Sequence, residues 1–78
     1  MITVEVSPPK DNTWPELLRF YCQQADSEDP SLPFMASMWS YALNTGGLTG
    51  RQAESAERYI VHAFKSHGLS FDGADNNG

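Results

Sequence analysis

The sequence predicts a mainly α fold, a compact three-helix domain with a short N-terminal β-strand or extended arm and a disordered C-terminal tail. Three observations predict it. Three segments are each opened by a Ser or Thr that is followed by proline, or by Glu or Gln at capping-box spacing. Within those segments apolar residues recur at i, i+3, i+4 and i+7, the period of an α-helix with one buried face. The opening residues Ile2, Thr3, Val4, Glu5 and Val6 instead alternate with the period of a strand.

Taken in order, the strand stops at Ser7-Pro8-Pro9-Lys10, because proline has no amide to donate and favours an extended link. Residues 1–10 thus form the arm, 11–69 the helical domain and 70–78 a flexible tail rich in Gly, Asp and Asn. The first helix, at about 14–24, starts from Thr13 with Pro15 in its first turn and Glu16 placed to reach back to the cap. Trp14, Leu17, Leu18, Tyr21 and Ala25 make its apolar side. Phe20 falls off that side, among Glu16, Arg19 and Gln23, and reads as an exposed aromatic.

The second helix, at about 32–44, repeats the device as Ser31-Leu32-Pro33 and ends at the glycine turn Asn44-Thr45-Gly46-Gly47, which sets helices two and three side by side. Phe34, Met38 and Tyr41 form one stripe, and Met35, Trp39, Ala42 and Leu43 form another beside it. An apolar arc of about 200° is wider than one neighbour covers, so this helix is expected at the centre of the domain. Its surplus of Met and aromatic surface has two readings, core or interface.

The third helix, at about 50–67, opens on a capping box of Thr49 and Gln52, with Leu48 placed to staple onto Ala53. Gly68 ends it in a left-handed cap with Leu69 folding back. Ala53, Ala56, Ile60, Ala63 and Phe64 share its inner arc, while Arg51, Ser55, Arg58, His62 and Lys65 lie opposite. That basic stripe resembles a recognition surface for nucleic acid, or it is a solvated face supported by Glu54 and Arg58 at i, i+4.

Five Lys or Arg against ten Asp or Glu give a net charge of −5, which opposes nonspecific binding to polyanions and favours a basic protein partner. The single cysteine, Cys22, allows no internal disulfide and suits a reducing, cytoplasmic setting. Cys22, His62 and His67 are too few for structural zinc, and no cofactor or metal is expected. Residues 1–10 lack the basic start and apolar run of a targeting segment, and no apolar stretch is long enough for a membrane span. Gly46, Gly47 and Gly50 precede a helix without the lysine of a phosphate-binding loop, and neither histidine accompanies a nucleophile motif. The chain is therefore expected not to be an enzyme.

The stretch from Leu32 to Ile60, in which an apolar helix with a central Ser37 leads through a glycine turn into Leu48-Thr49 and Gln52, resembles small uncharacterised bacteriophage and mobile-element accessory proteins. The resemblance implies a phage or prophage setting, in which small acidic proteins often inhibit host machinery, anti-CRISPR proteins among them. Joined to the residue reading, it gives an expected function: a non-enzymatic protein-binding module that inhibits or regulates a host protein or nucleoprotein complex. The expected contacts are Phe20, Met35, Trp39 and Tyr41, with the loop acids Asp26, Glu28 and Asp29 orienting the approach. The alternative is a small nucleic-acid-binding accessory protein using Arg51, Arg58, His62 and Lys65. A further option is a homodimer joined through Ile2, Val4 and Val6.

Overall fold

The computed structural model describes residues 7–71, 73 and 74, and among these it has three helices, α1 (Trp14–Gln24), α2 (Leu32–Thr45) and α3 (Gly50–Ser66). The expected strand, and with it the dimer contact through Ile2, Val4 and Val6, lies outside the described residues. Among the described residues no helix is long and apolar enough to cross a membrane.

The helix starts follow the sequence signals with different chemistry at each. At α3 the capping box forms: Thr49 Oγ1 accepts from the Gln52 N–H at 3.2 Å, and Gln52 Oε1 accepts from the Thr49 N–H at 3.0 Å. At α1 the expected box does not form. Thr13 directs both its N–H and its hydroxyl to Asp11 Oδ1, while Glu16 accepts from the Lys10 N–H and from Arg19. These bonds hold the Asp11 and Glu16 carboxyls below their ordinary range, Thr13 being the chief cause for the first and Arg19 for the second. At α2 Ser31 makes no side-chain cap, and Asp29 Oδ1 accepts its N–H instead at 2.8 Å.

The ends are set by backbone geometry. Gly46, at φ 87°, closes α2 by donating to the Ala42 carbonyl. After α3 the Leu69 N–H reaches the Phe64 carbonyl at 2.8 Å and the Gly68 N–H reaches Lys65, with Gly68 at φ 70°. This paired return is a Schellman ending, which needs a residue free to adopt positive φ. The Leu69 backbone folds back as expected, yet its side chain stays on the surface.

The central helix is α1, not α2. It packs most extensively against α2, then against α3, whereas α2 and α3 meet at few positions. The reason is Phe20, 1 % exposed, which corrects the reading of an exposed aromatic. Its ring lies edge-on to Phe64 and to His67, each at 5.3 Å between centroids. Phe20 widens the buried face of α1 to about 160° at 100° per residue, enough to meet two neighbours. The polar residues beside it bond to one another: Arg19 holds Glu16, Gln23 and the carbonyls of Ser7 and Pro8, binding the incoming chain to α1.

Leu17, Leu18, Met35, Ala42, Ala56 and Ile60 are fully enclosed, and Trp14, Tyr21, Met38, Leu48, Ala63 and Phe64 complete the core. Phe71 returns to this core, edge-on to Phe64 at 5.2 Å, and Ala74 lies against it. Cys22 is half-buried, and burial pushes its thiol pKa up, as suits a packing residue rather than a reactive one.

Candidate functional site

The surface that packing leaves uncovered lies on α2. Because α1 takes only the side carrying Met35, Met38 and Ala42, the two flanks of α2 remain accessible. Phe34 is 47 % exposed, Tyr41 39 % and Leu43 64 %. Phe34 and Tyr41 stand seven residues apart on the flank toward α3, while Leu43 and the half-buried Trp39 share the other. Pro33, Ala36, Ser37 and Ser40, all exposed, cover the ridge between them.

Along the first flank runs an open groove of about 430 Å³ between α2 and α3. Phe34, Met38 and Tyr41 supply its apolar wall, and Ser37, Ser40, Asn44 and Gln52 its polar rim. It exists because Asn44-Thr45-Gly46-Gly47 brings the two helices round without close packing between them. Their one aromatic contact is Phe34 to Tyr59, edge-on at 6.2 Å near the far end. A second physical property distinguishes this face: none of the ten acids and five bases lies in α2. Apolar anchors bordered by uncharged hydrogen-bonding groups are the composition of the core of a protein contact.

The residues expected to make the contact are divided by the structure. Tyr41 is on the surface and borders the groove, and Trp39 is half-buried on the opposite flank. Met35 is 0 % exposed and Phe20 1 %, so neither reaches a partner of the folded chain. Among the loop acids, Asp26 and Glu28 are exposed, with Asp26 Oδ1 accepting from the Glu28 N–H at 3.1 Å. Asp29 is half-buried and bonded on both oxygens, to the Tyr21 hydroxyl and to the Ser31 N–H, so its role is to position α2.

The stripe on α3 is also divided. Arg51, Arg58, His62 and Lys65 are all exposed. Arg58, however, shares an open hollow of about 460 Å³ with Glu54, Glu57 and Val61. His62 borders a smaller hollow of about 200 Å³ with Asp26, Asp29 and Tyr21. Carboxylates thus interleave with the basic groups at the middle of the helix. The direct ion pair among the described residues is Arg19 with Glu16, and Glu54 and Arg58 are not joined in one.

Phe34 and Leu43 are residues that sequence reasoning placed in the apolar stripes of helix two but left out of the expected contact set. The available signal was spacing, since Phe34 and Tyr41 are i, i+7 neighbours that lie outside the inner arc once Met35, Met38 and Ala42 define it. Comparison with protein-family models, curated proteins and solved structures finds no match to this chain.

Proposed function

We propose that the chain is a small, acidic, non-enzymatic protein-binding module whose contact surface is the uncharged outer face of α2. The observation that carries this reading is the exposure of Phe34, Tyr41 and Leu43 on a helix without a single charged side chain. A helix held to its domain by one side ordinarily turns charged and polar residues to water. Here the outward side offers aromatic and aliphatic anchors around small hydroxyl residues, which suits burial against another protein. Asp26 and Glu28, in the loop that leads into α2, add negative potential that speeds approach of a basic partner without being buried themselves. In the phage or mobile-element setting that the resemblance implies, such a module acts by occupying and inhibiting, or regulating, a host protein or nucleoprotein complex.

The test is affinity capture from a nuclease-treated bacterial lysate with wild type and with the pair Phe34→Ser and Tyr41→Ser. Both positions are outside the enclosed core, so the circular dichroism of the variant should match wild type. The reading predicts a partner held by wild type and released by the variant. Equal retention by both proteins would contradict it. Capture that disappears on nuclease treatment and after Arg51→Glu with Arg58→Glu would instead favour the α3 stripe.

A further inference from the structure

We infer that the partner covers the α2 face with an α-helix of its own, which lies in the seam between α2 and α3 and carries a Lys or Arg over the hollow beside Asp26 and Asp29. This rests on α2 being a contact surface and specifies the chemistry of what covers it. The shape of the seam points to a helix. Gln52, Ser55, Tyr59, His62 and Ser66 fall within about 80° of one another on α3 and form a straight wall about 21 Å long. Across from it, the groove along Phe34, Met38 and Tyr41 is followed by the smaller hollow beside Tyr21 and Asp29. The edge-on contacts of Phe34 with Tyr59 and of Tyr59 with Tyr21, at 6.2 and 6.1 Å, join the two. A helix suits this track because its backbone hydrogen bonds are made internally. An extended segment would set its N–H and C=O groups against an apolar wall, and the described residues offer no sheet edge to pair with them.

Charge complementarity selects a basic helix and places its cation. Asp26 and Asp29 border the hollow, and no Lys or Arg is among the described residues that line it. Asp29 is fixed by the Tyr21 hydroxyl on one oxygen and the Ser31 N–H on the other, and a carboxylate bonded in this way keeps lone pairs for a further donor. The last turn of α1 also ends here, at Gln24 and Ala25, with no basic residue to offset its carbonyls. The groove itself is uncharged, and Arg51, Arg58 and Lys65 stand further round α3, so the occupant carries its cation over the hollow and not along its whole length. Because Phe34 meets Tyr59, Tyr41 stands near the level of Gln52, and His62 at the hollow lies about 15 Å beyond it along the α3 axis. The partner helix therefore presents apolar residues at i, i+4 and i+7 and a Lys or Arg at i+11, or the same spacing in reverse.

The test is selection from a library of helix-forming peptides about 18 residues long, using the full chain as wild type, as Asp26→Asn, and as the pair Phe34→Ser and Tyr41→Ser. Asp26→Asn keeps an oxygen for the Glu28 N–H and removes only the charge. Wild type should enrich the apolar spacing with Lys or Arg at its end. Asp26→Asn should weaken binding of those peptides about 2- to 5-fold, the range of an exposed ion pair, and reduce its salt dependence. Versions with Gln in place of the basic residue should bind wild type and Asp26→Asn equally. Enrichment of apolar peptides without a basic residue would overturn the inference, as would a basic preference unchanged by Asp26→Asn. In either case, loss of binding by the Phe34→Ser and Tyr41→Ser pair would show that α2 is still a contact surface with a different occupant. Failure to enrich any helical peptide would also overturn it and leave the α2 surface to the lysate capture. Peptides retained equally by the Phe34→Ser and Tyr41→Ser pair would remove both readings.

Discussion

The hydroxyl of Tyr21 donates to Oδ2 of Asp29 at 2.7 Å, joining the buried face of α1 to the loop that starts α2. The other oxygen of the same carboxylate accepts the Ser31 N–H, so one side chain fixes both the loop and the entry of α2. The Tyr21 ring also lies edge-on to Tyr59 of α3 at 6.1 Å. All three helices therefore meet at one residue, and the orientation of the exposed α2 face depends on it.

Tyr21→Phe should lower stability by about 1–2 kcal/mol, the value of a partly buried hydrogen bond to a charged acceptor. Asp29→Ala should cost more, since it also leaves the Ser31 N–H without its acceptor. Urea denaturation of the two single variants and the double variant measures the coupling, which should be non-additive.

Stability should fall at alkaline pH. Burial first, and then the Asp29 carboxylate, hold the Tyr21 hydroxyl well above its ordinary value of 10.0. The unfolded chain ionises near pH 10 while the folded chain remains protonated, so the contribution is complete below pH 10 and is lost as pH rises through the folded value. Denaturant midpoints taken from pH 7 to pH 11 should decline above pH 10, and Tyr21→Phe should flatten that decline.

Two of the hydroxyl residues ahead of the helices should respond differently to alanine. Thr49→Ala removes a formed capping box and should cost about 1 kcal/mol. Ser31→Ala removes no side-chain cap and should change the thermal midpoint little. Thermal melts followed by circular dichroism distinguish the two.

Two phenylalanines with opposite expectations make a further pair. Phe20→Ala should cost about 3–5 kcal/mol, a large part of the stability of a domain this small. Phe34→Ala, at a position 47 % exposed, should cost far less. Equilibrium unfolding in urea measures both.

The sequence made the helix positions legible because capping and periodicity are local. Trp14–Gln24 matches the expected first helix, α2 continues one residue past the expected end to Thr45, and α3 closes at Ser66. Which helix lies at the centre is a property of tertiary packing, and there the local pattern misled. Phe20 looked exposed because its neighbours Glu16, Arg19 and Gln23 are polar, although they bond to one another and to the incoming backbone while the ring turns to Phe64 and His67. With α1 wide enough to serve two neighbours, α2 was left half covered. Its apolar surplus therefore divides between the enclosed Met35 and Met38 and the exposed Phe34, Tyr41 and Leu43. Asp29 was misread for the opposite reason, since an acid in a solvated loop gives no local sign that Tyr21, eight residues earlier, will donate to it.

The most direct measurement of the central claim is hydroxyl-radical footprinting of the wild-type chain, free and bound to the partner it captures, with modification resolved by residue. The account predicts that binding protects Phe34, Tyr41 and Leu43 on α2 while Val61, exposed on α3, changes little. Protection confined to α3, with Phe34, Tyr41 and Leu43 as reactive in the bound state as in the free one, would contradict it.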